Sequence, residues 1–248
     1  MGRIDKEVRL EVLSVLTGAS VRPYTTYSGR SKTNDLNVHN FVSSSLTYHA
    51  NVPLRLAGLG RSSYRDELFV DLDELFDPDY DYDFTHCKDR SECWRGDEVY
   101  KRPCGWYRIA VKVLDKYRDG NEWLGTDGWR SYSVAGEWPV SYHGTSIEGA
   151  KGILSSHYKA GPRDLYGRGI YSTYDIDEAS DYCKEFKSKT NGKTYRVLMQ
   201  NRINPQMRKV CDRKDYWLIE IHRGSSPEKE REIVKKSIRP YGILIKEV

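Results

Sequence analysis

The chain has 248 residues, enough to bury a sizeable hydrophobic core, and 31% of them are charged. No apolar run approaches the 18 residues of a membrane span, so we expect no transmembrane segment and no membrane partner. The net charge of +4 conceals a stretch from Asp66 to Asp83 with nine acidic residues and no basic one. The remainder is therefore basic, which leaves nucleic acid or a phosphate-bearing ligand open as partners.

The N-terminal part of the chain carries few regular patterns. Apolar residues every four positions predict a helix from Asp5 to Leu16, with Gly18 to end it. Residues 19–63 are rich in Ser, Thr, Asn and Gly and are predicted to be mostly loop, with a short strand at Leu46–Leu56. The acidic stretch, which alternates Asp and Tyr at 79–83, is predicted to be a solvated loop.

Five cysteines are scattered along the chain, and none of them forms a CxxC pair. Cys87, Cys93 and Cys104 lie near His86, which leaves a zinc site open, but their spacing is not that of a zinc ligand set. We therefore predict no metal. Reduced thiols and the lack of an apolar leader indicate an intracellular protein, cytoplasmic or nuclear.

The middle of the chain is predicted to contain one buried helix followed by turns. Trp106, Ile109 and Val113 fall on one helical face, which predicts an amphipathic helix at 104–117. The four glycines within 118–137 predict turns.

From Pro139 the pattern changes to short strands and capped helices. Capping-box spacings that begin at Thr145 and Asp175 each predict a helix, the second with Cys183 and Phe186 on its inner face. The basic run Lys184–Lys193 is predicted to be a solvated helix face and turn, and the run Lys229–Lys236 is predicted to be a mixed-charge helix. The predicted strands are Val140–His143, Gly169–Ser172, Thr194–Ile203, Tyr216–Ile221 and Tyr241–Lys246. This order predicts an α+β protein and not a repeated βαβ unit.

Two strand ends and the following helix carry residues suited to ligand chemistry. His143 in the motif Tyr-His-Gly-Thr can donate a hydrogen bond to a ligand hydroxyl, while Gly144 permits close approach. Tyr171 and Tyr182, on a strand and the adjoining helix, can enclose a planar ring. Arg168, which is flanked by glycines, can neutralise a phosphate.

These motifs resemble those of the catalytic domain of the poly(ADP-ribose) polymerases and the diphtheria-toxin-like ADP-ribosyltransferases. The resemblance covers about residues 138–248. We extend the domain to 100–248, which leaves 1–99 as an N-terminal extension of unknown role. The resemblance implies an α+β fold with split mixed β-sheets and flanking helices, and NAD as co-substrate.

The resemblance also assigns roles to individual residues. His143 would hydrogen-bond the adenine-side ribose of NAD, and the Gly144 backbone would pair with the nicotinamide amide. Tyr171 and Tyr182 would stack on the two sides of the nicotinamide ring. Asp215 stands where the family has the catalytic glutamate, so the implied catalytic residues are His143, Tyr171 and Asp215. The other implied NAD contacts are Thr145, Arg163, Arg168, Gly169, Ser172 and Ser180. Of these, the two arginines would contact the diphosphate.

Two positions depart from the family pattern. Asp215 shortens the carboxylate by one methylene, about 1.5 Å of reach. The serine that binds the carboxamide in the family falls on Ala179, and Ser180 beside it would have to substitute. NAD binding is therefore better supported than turnover, and single transfer is favoured over polymer formation.

We therefore predict an NAD-dependent mono-ADP-ribosyltransferase, which releases nicotinamide and transfers ADP-ribose to a protein or nucleic-acid acceptor. One alternative is an inactive transferase-like module that binds ADP-ribose, nucleic acid or a protein. Another is an RNA 2′-phosphotransferase, but the arginine-rich pocket that such an enzyme needs is not evident in the sequence. The acceptor and the oligomeric state stay open.

Overall fold

The computed structural model of the chain describes residues 4–24, 35–46, 67–89, 91–125, 128, 130–144, 166–213 and 215–248. Within these ranges the α-helices are α1 (Lys6–Thr17), α2 (Val38–Leu46), α3 (Leu72–Leu75), α4 (Ile176–Ser180) and α5 (Pro227–Ser237). The strands are β1 (Ser20–Pro23), β2 (Glu67–Val70), β3 (Tyr82–Asp83), β4 (Trp94–Arg95), β5 (Glu98–Val99), β6 (Tyr107–Ala110), β7 (Val140–His143), β8 (Gly169–Thr173), β9 (Lys184–Lys187), β10 (Thr194–Ile203), β11 (Lys209–Val210), β12 (Tyr216–Glu220) and β13 (Ile238–Glu247). None of the described helices is long and apolar enough to cross a bilayer.

Nine of these strands form one main sheet, and their pairs are all antiparallel. Eight follow the order β11-β12-β8-β7-β10-β13-β6-β3, and β9 pairs with β10 beside β7. The parallel pair β1–β2 and the hairpin β4–β5 stand apart from it. The prediction of an α+β fold is confirmed at this level, but the main sheet as described is antiparallel throughout, so it lacks the mixed pairing that the resemblance implies.

The main sheet carries buried side chains on both of its faces, as its central strand β10 shows. Along β10 the fully buried Val197 and Met199 belong to the larger core cluster, and Leu198 between them belongs to the smaller one. This alternation follows from the two-residue period of a strand. The larger cluster also takes in buried residues of α1, α2 and α5, whereas Ile176 and Ala179 of α4 join the smaller one.

The sequence located several elements correctly. Helix α1 has Asp5 at its N-cap and ends at Gly18, whose φ of 72° is a left-handed value that glycine adopts without strain. Strands β7 and β10 have the predicted bounds, and α5 lies in the mixed-charge run. The boundary at residue 99 stays a prediction, although β3 pairs with β6 across it.

The predicted helix at 104–117 is wrong. Gly105 adopts a φ of 85° and its N–H donates to the Phe84 carbonyl, after which the chain runs as strand β6. Tyr107 and Ile109 face the larger core cluster, while Trp106 faces the smaller one. Apolar residues on both faces of a buried strand produce the same spacing as a helical stripe, which explains the error.

Three further predictions need correction. The helix after Asp175 ends at Ser180, so Phe186 lies on strand β9 and the basic run is strand and turn. Helix α2 occupies part of the region predicted as loop, and Leu46 ends that helix instead of starting a strand. The rest of the predicted strand, 47–56, and the helix expected from 145 to 154 lie outside the described residues.

The acidic stretch also differs from the predicted solvated loop, because it contains short regular elements and a buried ion pair. The Asp81 side chain is 7% exposed and lies 2.5 Å from Nη2 of Arg9, itself 5% exposed. Its second oxygen accepts from the Ala110 backbone N–H at 2.8 Å. A carboxylate with a charged partner and a backbone donor tolerates burial, which an alternating Asp-Tyr pattern does not reveal.

A buried carboxylate fixes the turns that precede β7. Glu137 is fully buried, and its Oε1 accepts from Nη2 of Arg130 and from Nη1 of Arg202 at 2.9 Å. Arg202 also donates to the carbonyls of Trp138 and Leu124, both at 2.6 Å. Burial would raise the pKa of Glu137, but the hydrogen bond from Arg130 and the charge of Arg202 lower it overall. Glu137 therefore ties the chain before β7 to the C-terminal end of β10.

We predict that Glu137→Gln lowers the free energy of unfolding by about 3–5 kcal/mol, because it leaves buried guanidinium groups without their carboxylate. Urea denaturation of both proteins measures this loss. Glu232→Gln on the exposed face of α5 is the control, since its pair with Lys236 lies in solvent. Equal unfolding midpoints for the Glu137 and Glu232 variants would contradict the prediction.

Candidate functional site

The candidate site lies where strands β7 and β8 separate. The two strands are joined through one residue pair, Tyr142 and Thr173. Beyond this pair the His143 side chain takes the place of backbone pairing, with its Nδ1 at 2.6 Å from the Tyr171 carbonyl oxygen. Since a carbonyl only accepts hydrogen bonds, the proton of the neutral ring is on Nδ1. The motif that contains His143 and the motif that contains Tyr171 thus meet through a direct hydrogen bond.

The protonation state of His143 follows from its surroundings. Burial lowers its pKa, the hydrogen bond to the Tyr171 carbonyl opposes this, and the nearby charge of Lys184 lowers the pKa further. The imidazole is therefore neutral at pH 7, and Nε2 carries a lone pair. In this tautomer Nε2 can accept a hydrogen bond from a hydroxyl group but cannot donate one.

Gly144 brings the third motif to the same place. A Cβ at this position would lie 2.5 Å from the Tyr182 carbonyl oxygen and 2.7 Å from the Tyr182 Cβ. Glycine is thus required because the turn after α4 packs directly on the end of β7. The close contact holds Tyr182 beside His143 and Gly144.

Tyr171 is fixed by its own hydroxyl. That hydroxyl donates to the Gly167 carbonyl at 2.5 Å and accepts from the Tyr166 N–H at 3.3 Å. Its ring packs against a small cluster that contains Tyr216 and Leu218 of β12. The ring orientation is therefore set before any ligand arrives.

Two carboxylates share one guanidinium near Tyr182. Nε of Arg213 lies 3.1 Å from each Asp215 oxygen, and its Nη2 lies 2.8 Å from Oε2 of Glu178. The other Glu178 oxygen accepts a hydrogen bond from the Tyr216 hydroxyl. The sequence prediction missed Glu178, because the Asp175–Glu178 spacing also fits a capping box. In the structure Asp175 caps α4, and the Glu178 carboxylate turns toward β12.

Arg168 and Gly169 have described roles within the fold. Nη1 of Arg168 donates to the carbonyls of Ile221 at 3.3 Å and His222 at 2.9 Å, which directs the guanidinium toward the end of β12. A Cβ on Gly169 would lie 1.9 Å from the Ile219 carbonyl oxygen, so glycine is needed for strand pairing. Neither contact supports the predicted role at a diphosphate, which stays a prediction.

The remaining predicted ligand contacts occupy different places. Ser172 is buried on the face of β8 opposite Tyr171, and Ser180 is the half-buried last residue of α4 beside the buried Ala179. Thr145 and Arg163 lie outside the described residues. The substitution of Ser180 for the serine of the family therefore stays a prediction.

The cysteines near His86 do not form a metal centre in the described part of the chain, where no three His, Cys, Asp or Glu side chains are arranged to hold an ion. The N–H groups of Cys87 and Gly105 both donate to the Phe84 carbonyl, which brings Cys87 and Cys104 together. Burial and the charge of Asp89 raise the pKa of Cys104 to about 11.

Comparison with known proteins does not assign the chain to a family. The sequence matches no family model, and a search of curated proteins finds no significant relative. The functional argument therefore depends on the residues and contacts of this chain.

We predict that Gly144→Ala and Gly169→Ala each destabilise the fold by about 1–3 kcal/mol, because the added methyl group meets backbone atoms that cannot move aside. Chemical denaturation measures the cost. Gly242→Ala is the matched control on β13, since its methyl group would meet the side chains of Arg108 and Gln200 and not the backbone. A Gly144 variant as stable as the Gly242 variant would show that the turn after α4 does not pack on β7.

Proposed function

We propose that this chain is an NAD-dependent ADP-ribosyltransferase that releases nicotinamide and transfers one ADP-ribose unit to a protein or nucleic-acid acceptor. The observation that carries the proposal is the convergence of three motifs at one point of the fold. His143 is hydrogen-bonded to Tyr171, and Gly144 is packed on Tyr182. Residues predicted from the resemblance to lie around nicotinamide are thus neighbours in space.

The strand arrangement supports the split sheets that the resemblance implies. A single residue pair joins β7 to β8, whereas β10 and β13 pair over nine positions. We take this weak junction as the split, with β8, β12 and β11 on one side and the other six strands on the other. A dinucleotide would lie across the junction, near the ends of β7 and β8.

The proposed reaction breaks the N-glycosidic bond between nicotinamide and ribose. Nicotinamide leaves as a neutral ring, and positive charge develops on the ribose, so catalysis depends on charge stabilisation and on positioning. His143 would accept a hydrogen bond from the adenine-side ribose through Nε2. Tyr171 and Tyr182 would hold the nicotinamide ring, and a carboxylate would face the reacting carbon.

The proposal includes an intracellular location. All five cysteines are free thiols. Free thiols persist in reducing compartments, which is consistent with the cytoplasm or the nucleus.

A second function, an inactive module that binds ADP-ribose, nucleic acid or a protein partner, is favoured by one specific contact. Arg213 lies against both oxygens of Asp215. A carboxylate held in this way has fewer acceptor positions left for a ribose hydroxyl than an unpaired one. Measured nicotinamide release separates the two functions, because the module would bind without turnover.

We predict that the purified protein binds NAD and that His143→Ala and Tyr171→Ala each weaken binding at least tenfold, since each removes a contact to the ligand. Calorimetry measures the affinity, and NAD labelled in the nicotinamide and adenine parts follows release and transfer. His222→Ala and Tyr132→Ala are controls of the same residue types, because both side chains are exposed. Unchanged affinity in either site variant would refute the assigned pocket.

We predict that NAD affinity is constant from pH 8 to 6.5 and falls at lower pH. The pKa of His143 lies below its ordinary value of 6.5, so protonation of Nε2, which removes the acceptor, occurs only under acidic conditions. Affinity measured across this range tests the idea. His143→Asn should abolish the acidic decline, and tighter binding on acidification would contradict the neutral tautomer.

A further inference from the structure

We propose that Glu178, in place of Asp215, provides the carboxylate that stabilises the ribose cation during nicotinamide release. This inference rests on the proposed function and names a catalytic residue that the sequence motifs do not assign. It follows from the contacts among Glu178, Arg213, Asp215 and Tyr216 at the junction of α4 and β12.

The two carboxylates differ in how they are held. Asp215 faces Nε of Arg213 with both oxygens at 3.1 Å, and one of them also lies 3.1 Å from Nη2. Glu178 receives one hydrogen bond from Arg213 on one oxygen and one from the Tyr216 hydroxyl on the other. Since a carboxylate has about four acceptor positions, these two bonds from described residues leave each Glu178 oxygen one lone pair for a further donor.

Glu178 is also the carboxylate connected to the proposed ring-binding tyrosines. The Tyr216 ring packs in the same small cluster as Tyr171. Burial, together with the hydrogen bonds to Glu178 and Tyr182, raises the pKa of Tyr216 far above its ordinary value, so its hydroxyl stays protonated and donates. Tyr216 thus links the Glu178 carboxylate to both Tyr171 and Tyr182.

Exposure and charge suit this pair of carboxylates to a cationic transition state. The side chains of Glu178 and Asp215 are 20% and 23% exposed, so both are accessible to a ligand yet partly removed from water. Two carboxylates and one guanidinium leave a net charge of −1, which favours a cationic transition state.

In the proposed step the bond between the ribose C1′ and the nicotinamide nitrogen breaks, and its electron pair stays with nicotinamide. The positive charge on C1′ and the ring oxygen is stabilised by the Glu178 carboxylate. A lone pair of the acceptor then forms the bond to C1′, and the acceptor proton passes to Glu178 and on to solvent. NAD and the acceptor are the only reactants.

The test compares Glu178→Gln and Asp215→Asn in the full chain, with Glu185→Gln on β9 as a control whose side chain is exposed. Calorimetry gives the NAD dissociation constant, and labelled nicotinamide gives the rate of release. We expect Glu178→Gln to lower kcat about 10²- to 10³-fold with a dissociation constant within threefold of the parent, the size of loss typical when one charge-stabilising group is removed. Asp215→Asn should lower kcat less than tenfold.

A catalytic role would lower kcat while leaving the NAD dissociation constant and the unfolding midpoint close to those of the parent. A structural role would change all three. If Glu178→Gln is unstable, Glu178→Asp replaces it and should fold, bind NAD and react slowly. Parallel losses of binding, rate and stability in both variants would show that Glu178 is only a structural anchor and would overturn the inference.

The other outcomes are equally decisive. A larger loss of kcat for Asp215→Asn than for Glu178→Gln would overturn the inference and leave the proposed transferase intact. A parent that binds NAD without releasing nicotinamide would refute a catalytic carboxylate and favour the binding module. A parent that neither binds nor cleaves NAD would refute the proposed function and this inference with it.

Discussion

The structure depends on how strand β7 is held at its two ends. At its start, buried Glu137 pairs with Arg202 and fixes the strand against β10. At its other end β7 pairs with β8 through one residue pair, and the His143 side chain continues the contact to the Tyr171 carbonyl. One end of β7 is therefore rigid, and the other opens into a junction where polar and aromatic side chains converge. Both the sheet and the candidate site follow from this arrangement.

The electrostatics of the two ends serve different purposes. Glu137 is ionised although it is buried, because arginines compensate the cost of its burial, and this contact stabilises the fold. His143 is neutral because it is buried and lies near the charge of Lys184, and this state leaves an acceptor nitrogen for a ligand. At the junction of α4 and β12, the guanidinium of Arg213 contacts the carboxylates of both Asp215 and Glu178. The chemistry of the proposed site thus depends on how far each charged group is neutralised by its neighbours.

Sequence patterns predicted the strands that carry the motifs, because β7 and β10 have strong local signals and clear boundaries. They failed at β6, where apolar residues on two faces imitate a helix, and at Asp81, whose buried partner Arg9 is 72 positions away. His143, Gly144, Tyr171 and Tyr182 were predicted together and lie together. Glu178 was missed because a capping spacing explained it locally, and only the packing of α4 on β12 shows where its carboxylate points.

If the proposed function is correct, a nicotinamide ring binds between Tyr171 and Tyr182, and proton NMR of NAD in the presence of the protein can detect it there. We expect saturation transfer from the protein to the nicotinamide protons, with upfield shifts caused by the two aromatic rings, and the loss of both effects in Tyr171→Ala. Saturation of the adenine protons alone, or no transfer to NAD at all, would refute this binding mode.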